Sequence, residues 1–210
     1  NVFEKVLSAA NEKKPHCFLL HGVTGSGKTS VFLKLIHETI KMGRQVIMLV
    51  PEIALTPQIV SEFCSMFGSE VTVIHSELSL GQRADAYKRI KKGDVKIVIG
   101  TRSAVFAPME NLGLIIIDEE GERAYKSDSS PRYHAIDVAK KRCRTNNCIL
   151  LLASATPSVE SYYYAKKGIY TLLEMKKRYA DMPLPTVTVV DMNEERLLGN
   201  DTEFSDELMI

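Results

Sequence analysis

Gly22-Val23-Thr24-Gly25-Ser26-Gly27-Lys28-Thr29 fits the pattern G-x-x-x-x-G-K-[ST] at every fixed position. The apolar run Phe18-Leu19-Leu20 precedes it, and a helical pattern follows. The residue types dictate the chemistry. Gly22, Gly25 and Gly27 let the backbone bend so that its N–H groups, those of Val23, Thr24 and Ser26 among them, point inward at phosphate oxygens. A helix opening near Lys28 adds the positive end of its dipole. Lys28 reaches the β- and γ-phosphates, and the Thr29 hydroxyl is a ligand for Mg²⁺. The bland alternative is a glycine-rich turn with an exposed lysine, and it leaves the strand before and the helix after unexplained.

Outward from this loop, short apolar runs alternate with helical stretches. Val46-Ile47-Met48-Leu49-Val50, Val71-Thr72-Val73-Ile74, Val95-Lys96-Ile97-Val98-Ile99, Leu114-Ile115-Ile116-Ile117 and Ile149-Leu150-Leu151-Leu152 read as strands buried on both faces. Helices are expected near 28–42, 56–67, 79–92, 134–146 and 157–167. Alternation of this kind implies an α/β fold whose mainly parallel sheet carries helices on both faces. After about residue 174 the character changes. Lys176-Lys177-Arg178 leads into the breaker cluster Met182-Pro183-Leu184-Pro185, and Val187-Thr188-Val189-Val190-Asp191 could form one more strand.

The 210 residues suffice for one large domain, or one domain with a tail. The formal net charge is +1, so nucleic-acid binding would rest on local patches rather than on a global basic field. The four cysteines form no CxxC pair, so reduced thiols and no structural metal are expected. No run approaches the roughly 18 apolar residues that span a bilayer. Asn1-Val2-Phe3-Glu4-Lys5 starts no signal segment, so a cytoplasmic address and no membrane partner are expected.

The strand Leu114–Ile117 ends in Asp118-Glu119-Glu120. A strand that delivers carboxylates to its C-terminal edge sets them beside the phosphate loop, where open α/β sheets bind ligands. Asp118 would hold Mg²⁺, and Glu119 could orient and deprotonate an attacking water. A solvated acidic turn is the alternative. A phosphate loop with Asp-Glu still fits a transporter ATPase, a kinase or a GTPase.

Three further segments narrow the choice. Pro51-Glu52-Ile53-Ala54-Leu55-Thr56 follows the second strand. Gly100-Thr101-Arg102-Ser103-Ala104-Val105-Phe106-Ala107-Pro108 follows the fourth, and Ser154-Ala155-Thr156-Pro157 follows the strand after the acidic residues. In that order they resemble motifs Ia, Ib and III of superfamily 2 helicases. Together they look like the PriA family of primosomal replication-restart helicases, and the resemblance covers essentially the whole chain. Tyr125-Lys126 and Pro131-Arg132-Tyr133-His134-Ala135 are similar to that family's aromatic-rich loop. Pro183-Leu184-Pro185 through Val190-Asp191-Met192 resembles its passage toward a second motor lobe.

The resemblance implies a RecA-like P-loop ATPase lobe over 1–174, with 175–210 leading to a second lobe. It implies ATP and Mg²⁺ as ligands and no zinc in this chain. As part of a longer protein it implies ATP-dependent 3′–5′ DNA unwinding in replication restart. Single-stranded or forked DNA, primosome proteins and single-strand-binding protein would be its partners. Two positions depart from the family pattern. Gly121 stands where Asp-Glu-Glu is followed by His, and Ile136 stands where Arg precedes Asp137. Each removes a polar group from the loop expected to relay between ATP and DNA.

By the same resemblance Thr56, Thr101, Arg102 and Ser103 face single-stranded DNA, and Ser154 and Thr156 belong to the coupling segment. Hydroxyl and guanidinium donors just past strand ends can grip phosphates without reading sequence. Helix capping is the other reading for Thr56, which precedes Pro57. Tyr125, Lys126, Arg132, Tyr133 and His134 interleave aromatic and basic groups, which suits base stacking with phosphate neutralisation. The alternative is a solvated loop with Tyr133 tucked onto the core. Two non-motor readings also remain: a nucleotide enzyme such as a small-molecule kinase, and a nucleotide-gated protein-binding module.

Overall fold

The computed structural model describes residues 1–178 and 187–208. It divides into two compact units, Asn1–Tyr179 and Ala180–Ile210. The first holds a seven-stranded sheet. Its strands are β1 His16–Gly22, β2 Gln45–Leu49, β3 Val71–Ile74, β4 Ile97–Gly100, β5 Leu112–Ile117, β6 Ile149–Ser154 and β7 Thr171–Met175. Their spatial order is β3-β4-β2-β5-β6-β1-β7, and every pairing in it is parallel.

Continuous apolar runs become strands here because both faces of the sheet are covered. Side chains alternate along each strand between two cores. Phe18 and Leu20, Val46 and Met48, Leu114 and Ile116 pack into one. Leu19, Ile47, Ile115, Ile117, Leu150 and Leu152 pack into the other. Helices α1 Val2–Asn11, α2 Lys28–Lys41 and α3 Pro57–Phe67 supply Val6, Phe32, Leu35, Ile36 and Phe63 to the first core. Helices α4 Leu80–Lys92, α5 Ala135–Asn146 and α6 Val159–Lys166 supply Ile90, Ala135, Ala139, Cys143 and Ala165 to the second.

Local chemistry sets the helix starts. Ser79 and Gln82 form a reciprocal capping box at α4. Thr56 caps α3 by accepting from the Ile59 amide at 3.4 Å, with Pro57 in the first turn. The Ser158 hydroxyl accepts from the Ser161 amide at 3.2 Å and opens α6.

Three elements differ from the sequence-based expectation. Helix α1 precedes the first strand: Asn1 caps it from its side chain, and Val6 lies buried beneath α2's face of the sheet. Strand β7 joins the free edge of β1 with Leu172 opposite Leu19. Residues 187–190 form no strand, and Val187 and Val189 stand 80% and 91% exposed. β-branched side chains favour a pleated surface only where a neighbouring strand offers one. The second unit instead contains a short helix, α7 Met192–Leu197, capped by the Asp191 side chain. The breaker cluster 182–185 lies outside the described residues. Among the described residues no helix is long and apolar enough to cross a membrane.

Candidate functional site

The carboxyl ends of β1, β6 and β5 lie side by side. The glycine loop leaves β1 and the acidic turn leaves β5, so only the end of β6 stands between them. His21 pairs with Ser154, and Ile117 pairs with Leu152. The sheet order therefore brings Lys28, Asp118, Glu119 and Ser154 together from three distant stretches of sequence.

Within the loop, Gly27 adopts φ +86° as the residue before α2. That left-handed conformation suits glycine and lets the chain turn sharply into the helix. At Gly22 a Cβ would lie 2.8 Å from Ser26 Oγ and 3.1 Å from Lys28 Cγ. The Ser26 hydroxyl is buried and has no hydrogen-bond partner. Thr24 to Ser30 line an open cleft of about 420 Å³ together with Asp118 and Glu119.

Lys28 Nζ donates to the Gly22 carbonyl oxygen at 3.0 Å and lies 3.4 Å from Glu119 Oε1. The other oxygen, Glu119 Oε2, accepts from Ser154 Oγ at 2.8 Å. Ser154 Oγ in turn accepts from the Thr156 amide at 3.0 Å. One chain of polar contacts thus runs from the glycine loop through Glu119 to the turn after β6. Glu119 itself takes φ +45°, a left-handed conformation uncommon for a side chain of this size. Such strain, of order 1–3 kcal/mol, persists only where the surroundings impose it.

Asp118 is half-buried beside it, and its Oδ1 accepts from the Glu119 amide at 3.0 Å. Burial first, and the neighbouring Glu119 carboxylate second, push the Asp118 carboxyl up from 3.8 to about 6. Because the folded value is raised, the cost of holding Asp118 ionised is present above pH 6 and relieved as pH falls toward 4. A displacement of this size corresponds to at most about 3 kcal/mol. Asp118→Asn keeps the oxygen that accepts from Glu119 and removes the charge. It should raise the melting temperature of the nucleotide-free, metal-free protein at pH 7.5, with the gain shrinking as pH drops through 6. No gain at pH 7.5, or one independent of pH, would show that Asp118 carries no such cost.

The expected DNA-side residues fall into three situations. Some are engaged in local structure. Thr56 caps α3, and His134 Nδ1 accepts from the Ile136 amide at the start of α5. Arg102 donates from Nη1 to the carbonyl oxygens of Ala124 and Lys126, and its guanidinium lies 5.9 Å from the Tyr133 ring centroid. It pins the 121–137 loop. Others are buried. Thr101 is closed to solvent, and Ser103 Oγ is buried without a partner.

Tyr125 corrects an expectation. At 1% exposure it cannot stack on a base in this conformation, and its hydroxyl donates to the Asp118 carbonyl oxygen. Burial and the nearby Asp118 push that hydroxyl's pKa upward, so it stays protonated as a donor. Tyr133 is half-buried, with its ring edge-on to Phe106 at 4.9 Å. The third situation is free exposure: Lys126, Arg132 and Thr156 stand on the surface.

Gly121 and Ile136 acquire physical content. A Cβ on Gly121 would lie 3.2 Å from the Thr156 carbonyl oxygen, tighter than ordinary contact. Ile136 is buried in the second core. The sequence reading missed Glu120 as a site neighbour. Its side chain is 2% exposed and binds the start of α6, 38 residues away.

Comparison with known proteins fits this geometry. Residues 2–163 match the DEAD/DEAH box helicase family. The chain is 50% identical over 207 residues to the replication restart protein PriA of Bacillus subtilis, covering 99% of this chain and 26% of that protein. It is 46% identical over 195 residues to the PriA of Synechocystis, covering 90% of this chain and 24% of that protein. The chain thus spans about a quarter of the length of these relatives. Among solved structures, RecG bound to a three-way DNA junction aligns with TM-score 0.63 and 20% identity, over 93% of this chain and 26% of that one. The helicase domain of Pyrococcus furiosus Hef aligns with TM-score 0.58 and 21% identity, over 85% of this chain and 38% of that one. These two likenesses concern the fold. The phosphate-type loop, the acidic turn across β6 from it and the sequence matches agree, and the chain belongs to the DEAD/DEAH box helicase family as a RecA-like lobe of the PriA type.

Proposed function

We propose that the chain is the ATP-binding motor lobe of a longer protein that couples ATP hydrolysis to unwinding of DNA in replication restart. The observation that carries this is the polar chain that runs from Lys28 and Glu119 in the cleft to Ser154 buried behind them, 3.4 Å and 2.8 Å per link. A hydrolytic site needs a cation for the phosphates, a base for water and a way to report the state of both. Direct unwinding, its 3′–5′ direction and the primosome and single-strand-binding partners rest on the resemblance to PriA. Membership of the helicase family disfavours the small-molecule kinase and the passive binding module.

The residues fit a Mg²⁺-bound nucleoside triphosphate. The buried, unpartnered Ser26 hydroxyl and the glycine backbone give an anion cradle, and Thr29 with Asp118 offers hard oxygen donors on one wall. Bound there, the ion would neutralise charge developing on the transferred phosphoryl group. Loop amides and Lys28 would hold the phosphates, and Glu119 would orient the attacking water and take its proton. Ser154 fixes the carboxylate that does so.

For DNA, Arg132 and Lys126 are exposed cations of the 121–137 loop that can contact phosphates, while Tyr133 is tethered by Phe106 and Arg102. ATP hydrolysis by the longer protein that carries this chain, measured with and without single-stranded DNA, tests the reading. DNA should accelerate it. Arg132→Ala should weaken that stimulation by about an order of magnitude, the scale of one stacking or charge contact to single-stranded nucleic acid. Basal hydrolysis should stay unchanged. A hydrolysis rate indifferent to DNA in the unaltered protein sinks the motor assignment.

A further inference from the structure

Glu120 is a buried carboxylate whose side chain serves neither the phosphate loop nor the adjacent strand. Its Oε1 accepts from the Ser158 amide at 2.7 Å. Its Oε2 accepts from Ser158 Oγ at 3.1 Å and Ser161 Oγ at 2.8 Å. All three donors lie in the first turn of α6 or its cap, where a carboxylate also complements the helix dipole. The Glu120 amide donates to the Ala153 carbonyl oxygen at 3.0 Å, at the end of β6. One residue therefore grips the 153–161 segment at both ends. The residue before it, Glu119, touches Ser154, next to the first of these ends. At Gly121 there is no side chain to add a third strut.

We propose that Glu120 is a positioning residue that carries changes at Asp118 and Glu119 into the 156–161 segment. This rests on reading the cleft as a nucleotide site. The consecutive carboxylates then have separate tasks. Asp118 and Glu119 face the cleft, while Glu120 turns into the core and fastens the acidic turn to α6. When nucleotide draws Lys28 off Glu119, the turn can shift only together with the helix start that Glu120 holds. A simple stabilising role would not predict this selectivity: removing the carboxylate should uncouple the two segments while nucleotide affinity persists.

The test uses the full-length protein carrying this chain and two readouts. The first is hydrogen exchange of the amides at 156–161 with and without Mg·ADP. The second is KM and kcat for ATP. The unaltered protein should show a nucleotide-dependent change at 156–161. In Glu120→Ala that change should vanish, with KM within about twofold and kcat down about tenfold, the scale of a lost coupling contact. Glu120→Gln should recover most of it, since its amide oxygen still accepts from Ser158 and its NH₂ can donate to the serine hydroxyls. Should Glu120→Ala fail to fold, Ser161→Ala, which removes one donor, should weaken the response with KM unchanged. The proposal is overturned if Glu120→Ala keeps the response, if KM rises as kcat falls, or if Glu120→Gln is as impaired as Glu120→Ala. Nucleotide binding by the unaltered protein without any change at 156–161 overturns this link alone. Absence of nucleotide binding overturns the reading of the cleft, and this inference with it.

Discussion

Glu119→Gln is expected to bind nucleotide normally and to hydrolyse it about 10²–10⁴ times more slowly, the usual contribution of a positioned general base. The structure supplies the reasons. Glu119 is 39% exposed at its side chain, so water can reach it. Its left-handed backbone and its bond from Ser154 aim the carboxylate into the cleft. Gln keeps the shape and can still accept from Ser154 through its amide oxygen, but it cannot take a proton. Calorimetry with Mg·ATP should therefore give a dissociation constant within about threefold of the unaltered protein, while single-turnover hydrolysis collapses. A variant that hydrolyses at the original rate would remove Glu119 from the base role. One that loses affinity in proportion would make it a binding residue instead.

Lys28→Ala should act earlier, on binding. Lys28 Nζ now donates a hydrogen bond to the Gly22 carbonyl oxygen and forms an ion pair with Glu119, with its side chain only 12% exposed. A phosphate entering the loop would replace both partners with charge-assisted bonds. Each such bond contributes about 1.5–3 kcal/mol, so losing two should weaken Mg·ATP binding by roughly two orders of magnitude or more. The same substitution frees Glu119 of its cation in the empty site, so calorimetry should be paired with thermal denaturation to separate folding from affinity. Equal affinity in the two proteins would refute the phosphate role of the loop. The contrast between the two variants is informative: Lys28→Ala fails in affinity and Glu119→Gln fails in rate.

Much of this was readable in the sequence because it is local. The eight residues from Gly22 to Thr29 specify a turn, a helix start and a cation within one stretch. The apolar runs at 46–50, 71–74, 114–117 and 149–152 specify strands because only a sheet covered on both faces buries every residue of a run. Ser79 with Gln82 and Thr56 with Pro57 mark helix starts through neighbours three residues away or fewer. Helix α1 was also locally encoded, by Asn1 and by the apolar spacing of Val2, Phe3, Val6 and Ala10.

Tertiary structure decided the rest, wherever the outcome depends on which segments become neighbours. Strand β7 exists because β1 has an edge to pair, while the equally β-prone 187–190 stays unpaired. Tyr125 and Arg102 are surface-like by composition. One is swallowed beneath the acidic turn, and the other is tied to carbonyl oxygens of a loop some 20 residues on. Glu120 looks like its two neighbours in sequence and is separated from them by direction alone. The left-handed backbone at Glu119, φ +45°, breaks the alternation of the strand, so Asp118 and Glu119 both face the cleft while Glu120 enters the core, where the start of α6 offers three donors. Residue type fixed what chemistry was available. The packing of β1, β6 and β5 in that order fixed which side chains could meet to perform it, since hydrogen bonds reach about 3 Å and sequence separation does not limit them.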